Sequence, residues 1–412
     1  MAVYLGSSAA QAVKKGADTG TPNFRGSAPG ETTNILVANR FQIATNTASV
    51  PANFTSRRHH YSSAEGEIYD FHCVDSGLCL LSGVPTGGGA RTIKRYIEYP
   101  ESVFHQVTWA GATTKALATG AVDSDIVISS LTGQPLRIPQ ATKFWERTVN
   151  LNSTVAAFPR FELPATSVAL GVDDGNDVAD KGNSGTIAPT TTLYTFGMSA
   201  LVGKIGKANA KAAVVYGDSI TFGTGDITGV SARGSSGYVA RLLDKYGYPY
   251  FKMAEGGWQA SQAAVNTASP IALLDNIPAP IFLCQLGIND LRLNRTKAQI
   301  EADYQTIYGL PVAAGLSPSI GQHTITTRTD SSNGYADAAG QTTKTDGNMA
   351  DLTPLNTDIR AGLPNVAFIV EAADADMTAR NSNIHGGPFP PTTDGTHFTS
   401  PKADAMATAI SI

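Results

Sequence analysis

The alternation of apolar and polar positions changes character near residue 205. Before it, short runs of period two are separated by Gly, Pro, Asn and Asp, and they predict strands over 67–74, 91–99, 102–109, 125–129 and 143–151. In 102–109, Val103, Val107 and Trp109 share a face; in 143–151, Trp145, Val149 and Leu151 do. Short alternating strands with regular turn signals predict an antiparallel, jelly-roll-like β-sandwich over 61–205. Residues 1–60 are polar and rich in Gly, Ala and Thr, and they read as an irregular arm. No internal repeat stands out.

From residue 206 to 412 the period switches between strand and helix. Strands are predicted over 212–216, 250–254, 280–286, 320–326 and 366–370, the third apolar almost throughout. A helix over 236–246 has Val239, Leu242, Leu243 and Tyr246 on one face, with Gly247 placed to end it. Thr296 and Gln299 form a capping box ahead of Ile300, Tyr304 and Ile307. Thr353-Pro354 opens another helix that Gly362 closes, and Ser400-Pro401 caps a last one. The polar stretch 330–347 reads as a surface loop. Repeated βα units predict a parallel sheet with helices on both sides.

Composition narrows the functional classes. A length of 412 residues points to two domains, and 42% hydrophobic content supports packed cores. Net charge is −4, and the one basic block, Arg57-Arg58-His59-His60, is too small a footprint for nucleic-acid binding. No apolar run reaches the ~18 residues of a membrane span. The start, Met1 to Ser8, lacks the basic and apolar regions of a signal peptide. Three cysteines make no disulfide framework: Cys73 and Cys79 could bridge in an oxidising compartment but read first as independent thiols, and Cys284 as a buried small hydrophobe. His59, His60, His72, His105, His323 and His385 show no metal-ligand spacing, so neither a metal nor a cofactor is expected.

The chemistry sits where predicted strands end. Ligands bind an open parallel sheet outside the carboxyl ends of its strands. Ser219 follows the first strand of the second half, Gly256-Gly257 the second and Asn289 the third. Taken alone, Ser219 is a turn serine and His397 a loop histidine. Together with Asp394, three residues before His397 on a Gly- and Pro-rich loop, they supply a nucleophile, a base and an orienting acid. Asp290 reads as structural, holding its turn.

The blocks Gly217-Asp218-Ser219-Ile220, Gly256-Gly257, Gly287-Ile288-Asn289-Asp290 and Asp394-Gly395-Thr396-His397 resemble, in order, the four signature blocks of the SGNH (GDSL) hydrolases. The resemblance covers residue 212 to the C-terminus and implies a three-layer α/β/α, flavodoxin-like catalytic domain over 206–412. It makes Ser219 the nucleophile, His397 the general base and Asp394 its orienting partner. The Ser219 and Gly257 N–H groups and the Asn289 amide would form the oxyanion hole. The family's Asn before the second-block glycine is missing from Phe251 to Trp258, so Gly256 and Gly257 both stay open as donors. The trailing Trp258-Gln259-Ala260-Ser261 favours Gly257.

Short-chain esters of a carbohydrate or polysaccharide, acetyl first, are the expected substrate, since no apolar lid is visible. The alternatives are a lipase or thioesterase of the same family, and a carbohydrate-binding or phage-tail-associated structural protein. The Met1–Ser8 start resembles some phage and prophage tail proteins, and an exported or virion-associated setting is favoured. Trp258 is a candidate pocket residue, with core packing its equal rival. Trp109 and Trp145 read as core more than as a sugar platform.

Overall fold

The computed structural model describes residues 34–118, 122–133, 136–152, 154–162, 174–188 and 194–412. The chain is mixed α/β. One sheet is wholly parallel and contains β1 (Phe41–Gln42), β2 (Ala213–Gly217), β3 (Tyr250–Ala254), β4 (Ile281–Gln285), β5 (Ser319–His323) and β6 (Phe368–Val370). Its spatial order is β1-β3-β2-β4-β5-β6. Every residue of β2, β3 and β4 is buried, as in strands covered on both faces.

The helices that matter for the site are α1 (Ser219–Phe222), α2 (Tyr238–Tyr246), α3 (Ala260–Val265), α4 (Ile288–Arg292), α5 (Lys297–Ala313), α6 (Leu352–Gly362) and α7 (Ser400–Ala409). The connection from β2 through α2 to β3 runs one way along the sheet. Those through α3, α5 and α6 run the other way. Right-handed crossovers in opposite directions put helices on opposite faces. The packing agrees: α2 lies against α7, and α3 against α5.

Antiparallel sheets fill most of the first half. Lys143–Asn150 sits between Phe54–Tyr61 and Arg91–Glu98 in one of them. Ile68–Asp75 pairs with Ala200–Ile205 in another. The expected strand over 102–109 is shortened to Phe104–Thr108, and Val103 is exposed. That over 125–129 shrinks to Val127–Ile128, after a 3₁₀ turn at Val122–Asp125.

The expected arm over 1–60 needs correction. Residues 1–33, including the tail-like start, lie outside the described residues, but 35–61 carry strands. Ile35–Leu36 pairs with Ala200–Ile205, Asn46–Pro51 with Thr154–Glu162, and β1 extends the parallel sheet beside β3. Polar composition hid them because the polar groups are paired inside. Arg57 Nη2 lies 3.1 Å from Glu98 Oε1, Arg147 Nε 2.8 Å from Glu98 Oε2, and Arg40 Nη2 2.6 Å from Asp174 Oδ2. The basic block is a buried strand rather than a surface patch.

Smaller corrections follow the same logic. Helix α6 starts at Leu352, with Asp351 at the N-cap position but no side-chain capping bond, because the turn Met349–Asp351 runs straight into it. Pro354 then falls in the first helical turn, where its missing N–H costs nothing. Thr399, not Ser400, is the N-cap of α7. Strand β5 stops at His323, since the Ile325 N–H turns away to the Asn356 side chain at 2.6 Å. The expected loop 330–347 is braced by a hairpin of Thr329–Ser331 with Gln341–Thr343. No helix of the described residues is long and apolar enough to cross a membrane.

One apolar core runs from Leu36 and Phe41 through the antiparallel strands to the helices of the second half. Phe41 is fully buried and stacks on His60 with ring centroids 4.3 Å apart. Phe41→Ala is expected to cost about 3–5 kcal/mol while chemical denaturation remains a single transition. Separate unfolding of the two halves would contradict a shared core.

Candidate functional site

The serine is set by a short chain of steric and capping constraints. Strand β2 ends at Gly217, where an added Cβ would lie 2.1 Å from Thr221 Oγ1, so only glycine fits. Asp218 is the N-cap of α1, its Oδ1 accepting from the Ile220 N–H at 2.9 Å. Ser219 is therefore the first residue of a helix, and its N–H has no intrahelical acceptor.

His397 arrives from the far end of the chain. Its Nε2 lies 2.7 Å from Ser219 Oγ, and its Nδ1 lies 2.6 Å from Asp394 Oδ2. Asp394 Oδ1 also accepts from the His397 and Thr396 N–H groups, both at 2.9 Å. The sequence thus named three residues that the fold brings into one hydrogen-bonded line. Burial raises the Asp394 carboxyl, but the His397 ring and these N–H donors outweigh it and hold it well below the ordinary range. An acid of that kind stays ionised and fixes the imidazole.

Asn289 and Gly257 flank the same edge. Asn289, in α4, is half-buried and donates from Nδ2 to the Trp258 carbonyl at 3.2 Å. Gly256 and Gly257 are exposed, with open space where a Cβ would project. Only Gly257 of the two has a left-handed φ, +78°. Asp290 is structural: its carboxylate accepts from the Ala260 and Ser261 N–H groups at 2.8 and 3.2 Å, tying the glycine turn to α4.

Trp258 is a correction. Its side chain is 1% exposed and packs on Tyr216, ring centroids 5.5 Å apart, so it belongs to the core. Trp109 and Trp145 are buried as well, Trp145 beneath the Arg57 guanidinium.

Several supporting residues had no sequence signal. Gly395 has φ +80°, and a Cβ there would fall 1.8 Å from the Thr329 carbonyl oxygen. Its own carbonyl accepts from the Thr329 N–H at 3.0 Å and lies 3.3 Å from His385 Nε2. His385 is fully buried on Asp376, Nδ1 to Oδ1 2.8 Å. The 329–343 hairpin and this pair pin the loop that carries Asp394 and His397. On the other side Glu255 accepts from the Ser82 and Gly83 N–H groups at 2.7 and 2.6 Å, joining the glycine turn to the antiparallel half.

No protein-family model and no curated protein matches the chain. Solved structures do match. A GDSL-like lipase from Bacteroides thetaiotaomicron is 14% identical, covering 48% of this chain and 84% of its own at a TM-score of 0.33. A family two carbohydrate esterase from Clostridium thermocellum, an active-site mutant in complex with an oligosaccharide, is 11% identical, covering 92% and 96% at 0.37. Protein YxiM of Bacillus subtilis is 14% identical, covering 85% and 78% at 0.36. GDSL-like lipases and a carbohydrate esterase are thus among the proteins this chain is similar to in structure.

The carboxyl of Asp218 is fully buried, and that burial pushes it up to about 7, against the Ile220 N–H and the nearby His397. A raised acid contributes its full stability below the ordinary value near ~4, and that contribution is lost as pH rises through about 7. Asp218→Asn keeps an acceptor for Ile220 and cannot ionise. Its unfolding free energy, relative to the wild type, is expected to improve by roughly 2–3 kcal/mol between pH 5 and pH 8. A pH-independent difference would show that Asp218 does not titrate in this window.

Proposed function

We propose that the protein is a serine esterase that removes short acyl groups, acetyl first, from a carbohydrate. The observation that carries this reading is the line Asp394–His397–Ser219, with 2.6 and 2.7 Å between successive side chains. Ser219 Oγ attacks the ester carbon as His397 Nε2 takes its proton, and Asp394 stabilises the imidazolium. The oxyanion is received by the Ser219 and Gly257 N–H groups and the Asn289 amide. His397 then protonates the leaving alcohol, and a water it activates cleaves the acyl-enzyme.

In this reading 206–412 is an SGNH-type, flavodoxin-like three-layer catalytic unit, and the antiparallel sheets of 61–205 are a sandwich-type partner. The segments carrying Ser219, Gly257, Asn289 and His397 are rich in Gly, Ser, Thr, Asn and Asp. None has an apolar run to line a trough for a long chain, which favours acetyl over lipid substrates.

Ser219→Ala is expected to lower hydrolysis of 4-nitrophenyl acetate by roughly 10⁴–10⁶-fold with an unchanged melting point. Near-wild-type turnover in that variant would remove the nucleophile assignment. Asn289→Ala is expected to lower kcat by about 10²–10³-fold; a change confined to KM would place Asn289 outside the oxyanion hole. Acetate release from acetylated polysaccharides, compared with 4-nitrophenyl octanoate cleavage, separates the carbohydrate reading from a lipase.

A further inference from the structure

A cavity of about 170 Å³ lies behind the turn that follows α1, walled by Phe222 and Gly223-Thr224-Gly225 on one side and by Arg40, Arg58 and Lys252 on another. The two guanidiniums already have carboxylate partners, Arg40 on Asp174 and Arg58 on Glu146. Lys252 has none among the described residues. Its ammonium donates to the Phe222 carbonyl at 3.2 Å, which leaves two of its three protons without a protein acceptor. The residue is only 5% exposed and sits in the middle of β3, between the fully buried Phe251 and Met253.

A buried ammonium without a counter-charge is expensive, and such groups are normally paired. Burial lowers the Lys252 pKa to about 8, so the cation still predominates at neutral pH. The hydroxyls of Thr224 and Ser236 line the same space and have no hydrogen-bond partner among the described residues. Thr224 is exposed and Ser236 half-buried, so both hydroxyls face solvent and are free to turn toward a ligand, whereas Arg58 Nε is buried with no partner among the described residues. Donors therefore line the cavity, and the charge on its wall with no carboxylate in ion-pair contact among the described residues is the Lys252 ammonium, on which Asp226 and Asp244 act only from longer range.

We propose that this cavity binds a single small oxyanion, a carboxylate or phosphate group, with Lys252 as its counter-charge and the Thr224 and Ser236 hydroxyls as neutral donors. The group arrives either as a free ion or as the acid of a sugar. The site adjoins the catalytic loop: a Cβ on Gly225 would lie 2.9 Å from the His397 Cβ. Binding here does not depend on the esterase reading, and its test does not use turnover.

The test is thermal unfolding of the full chain, at constant ionic strength, titrated with inorganic phosphate, acetate or galacturonate. The wild type is expected to show a saturable rise in melting temperature with at least one of them. Phosphate or acetate acting alone assigns a free ion; galacturonate acting alone assigns a sugar acid. Lys252→Met removes the charge at similar volume and is expected to fold and bind roughly 10- to 100-fold more weakly. Thr224→Val, followed by calorimetric titration, is a second variant for the case in which Lys252→Met does not fold, and is expected to weaken binding about fivefold or more. No saturable shift in the wild type overturns the proposal. Undiminished affinity in Lys252→Met, or in Thr224→Val where that variant stands in, also overturns it.

Discussion

The hydrogen-bond contact between Ser219 Oγ and His397 Nε2 joins residues 178 positions apart in the chain, and the architecture of the second half exists around that closure. Each side is fixed independently. On the serine side, the register of β2 between β3 and β4 delivers Gly217 to the carboxyl edge level with Ala254 and Gln285. On the histidine side, Gly395 is pressed against the Thr329 backbone, so the 394–397 turn has little freedom to move as a unit. If the pair acts as proposed, an error of about 1 Å in it would cost on the order of 100-fold in rate. Rigid backbone on both sides is what holds it within that tolerance.

Buried charge is the second organising constraint. The antiparallel half encloses Glu98 between Arg57 and Arg147, Arg95 on Asp75, and Arg40 with the His59 N–H on Asp174. Removing one partner of such a set strands the other in a poor solvent, at a cost of roughly 3–5 kcal/mol. The pairs therefore fix register more than they add stability. Lys252 differs from these pairs: among the described residues its ammonium contacts no carboxylate and donates to the Phe222 carbonyl, with Asp226 and Asp244 acting only from longer range.

How much of this the sequence disclosed depended on whether the signal was local. Strand β4 and helices α2 and α5 were legible because burial on both faces, a heptad-like apolar face and a capping box each leave a mark within a few residues. The residues of the Ser219–His397–Asp394 line were legible for the same reason: each sits in a short block whose spacing is fixed by its own turn. Strand β1 was not legible, being two residues whose placement depends on β3, 210 positions away by the offset of Phe41 and Phe251. Phe54–Tyr61 read as polar because its charges are satisfied by partners from other strands. The supports at Thr329 and His385 were hidden too, since they act through the Gly395 carbonyl rather than through any motif. Trp258 shows the converse: position beside the glycine turn left pocket and core equally open in the sequence, and the structure buries its side chain against Tyr216.

The two halves meet at the glycine turn, and this bears on what the antiparallel half contributes. Glu255 spans the gap with both carboxylate oxygens on consecutive N–H groups of the Ser82-Gly83 turn, while Gln262 Nε2 donates to the Ser82 carbonyl at 3.3 Å. Gly83 has φ +78° there, which favours glycine, and a Cβ would force the end of the Gln262 side chain to shift. Asp290 holds the same turn from within the α/β half. The backbone between these anchors includes Gly256 and Gly257, which lack side-chain packing and would otherwise be the softest part of the edge. Clamping it from both halves restricts the direction of its N–H groups, which under the proposed function would be preorganised oxyanion donors. In the proposed esterase, the antiparallel sheets would bear on the chemistry through the geometry of this main-chain turn.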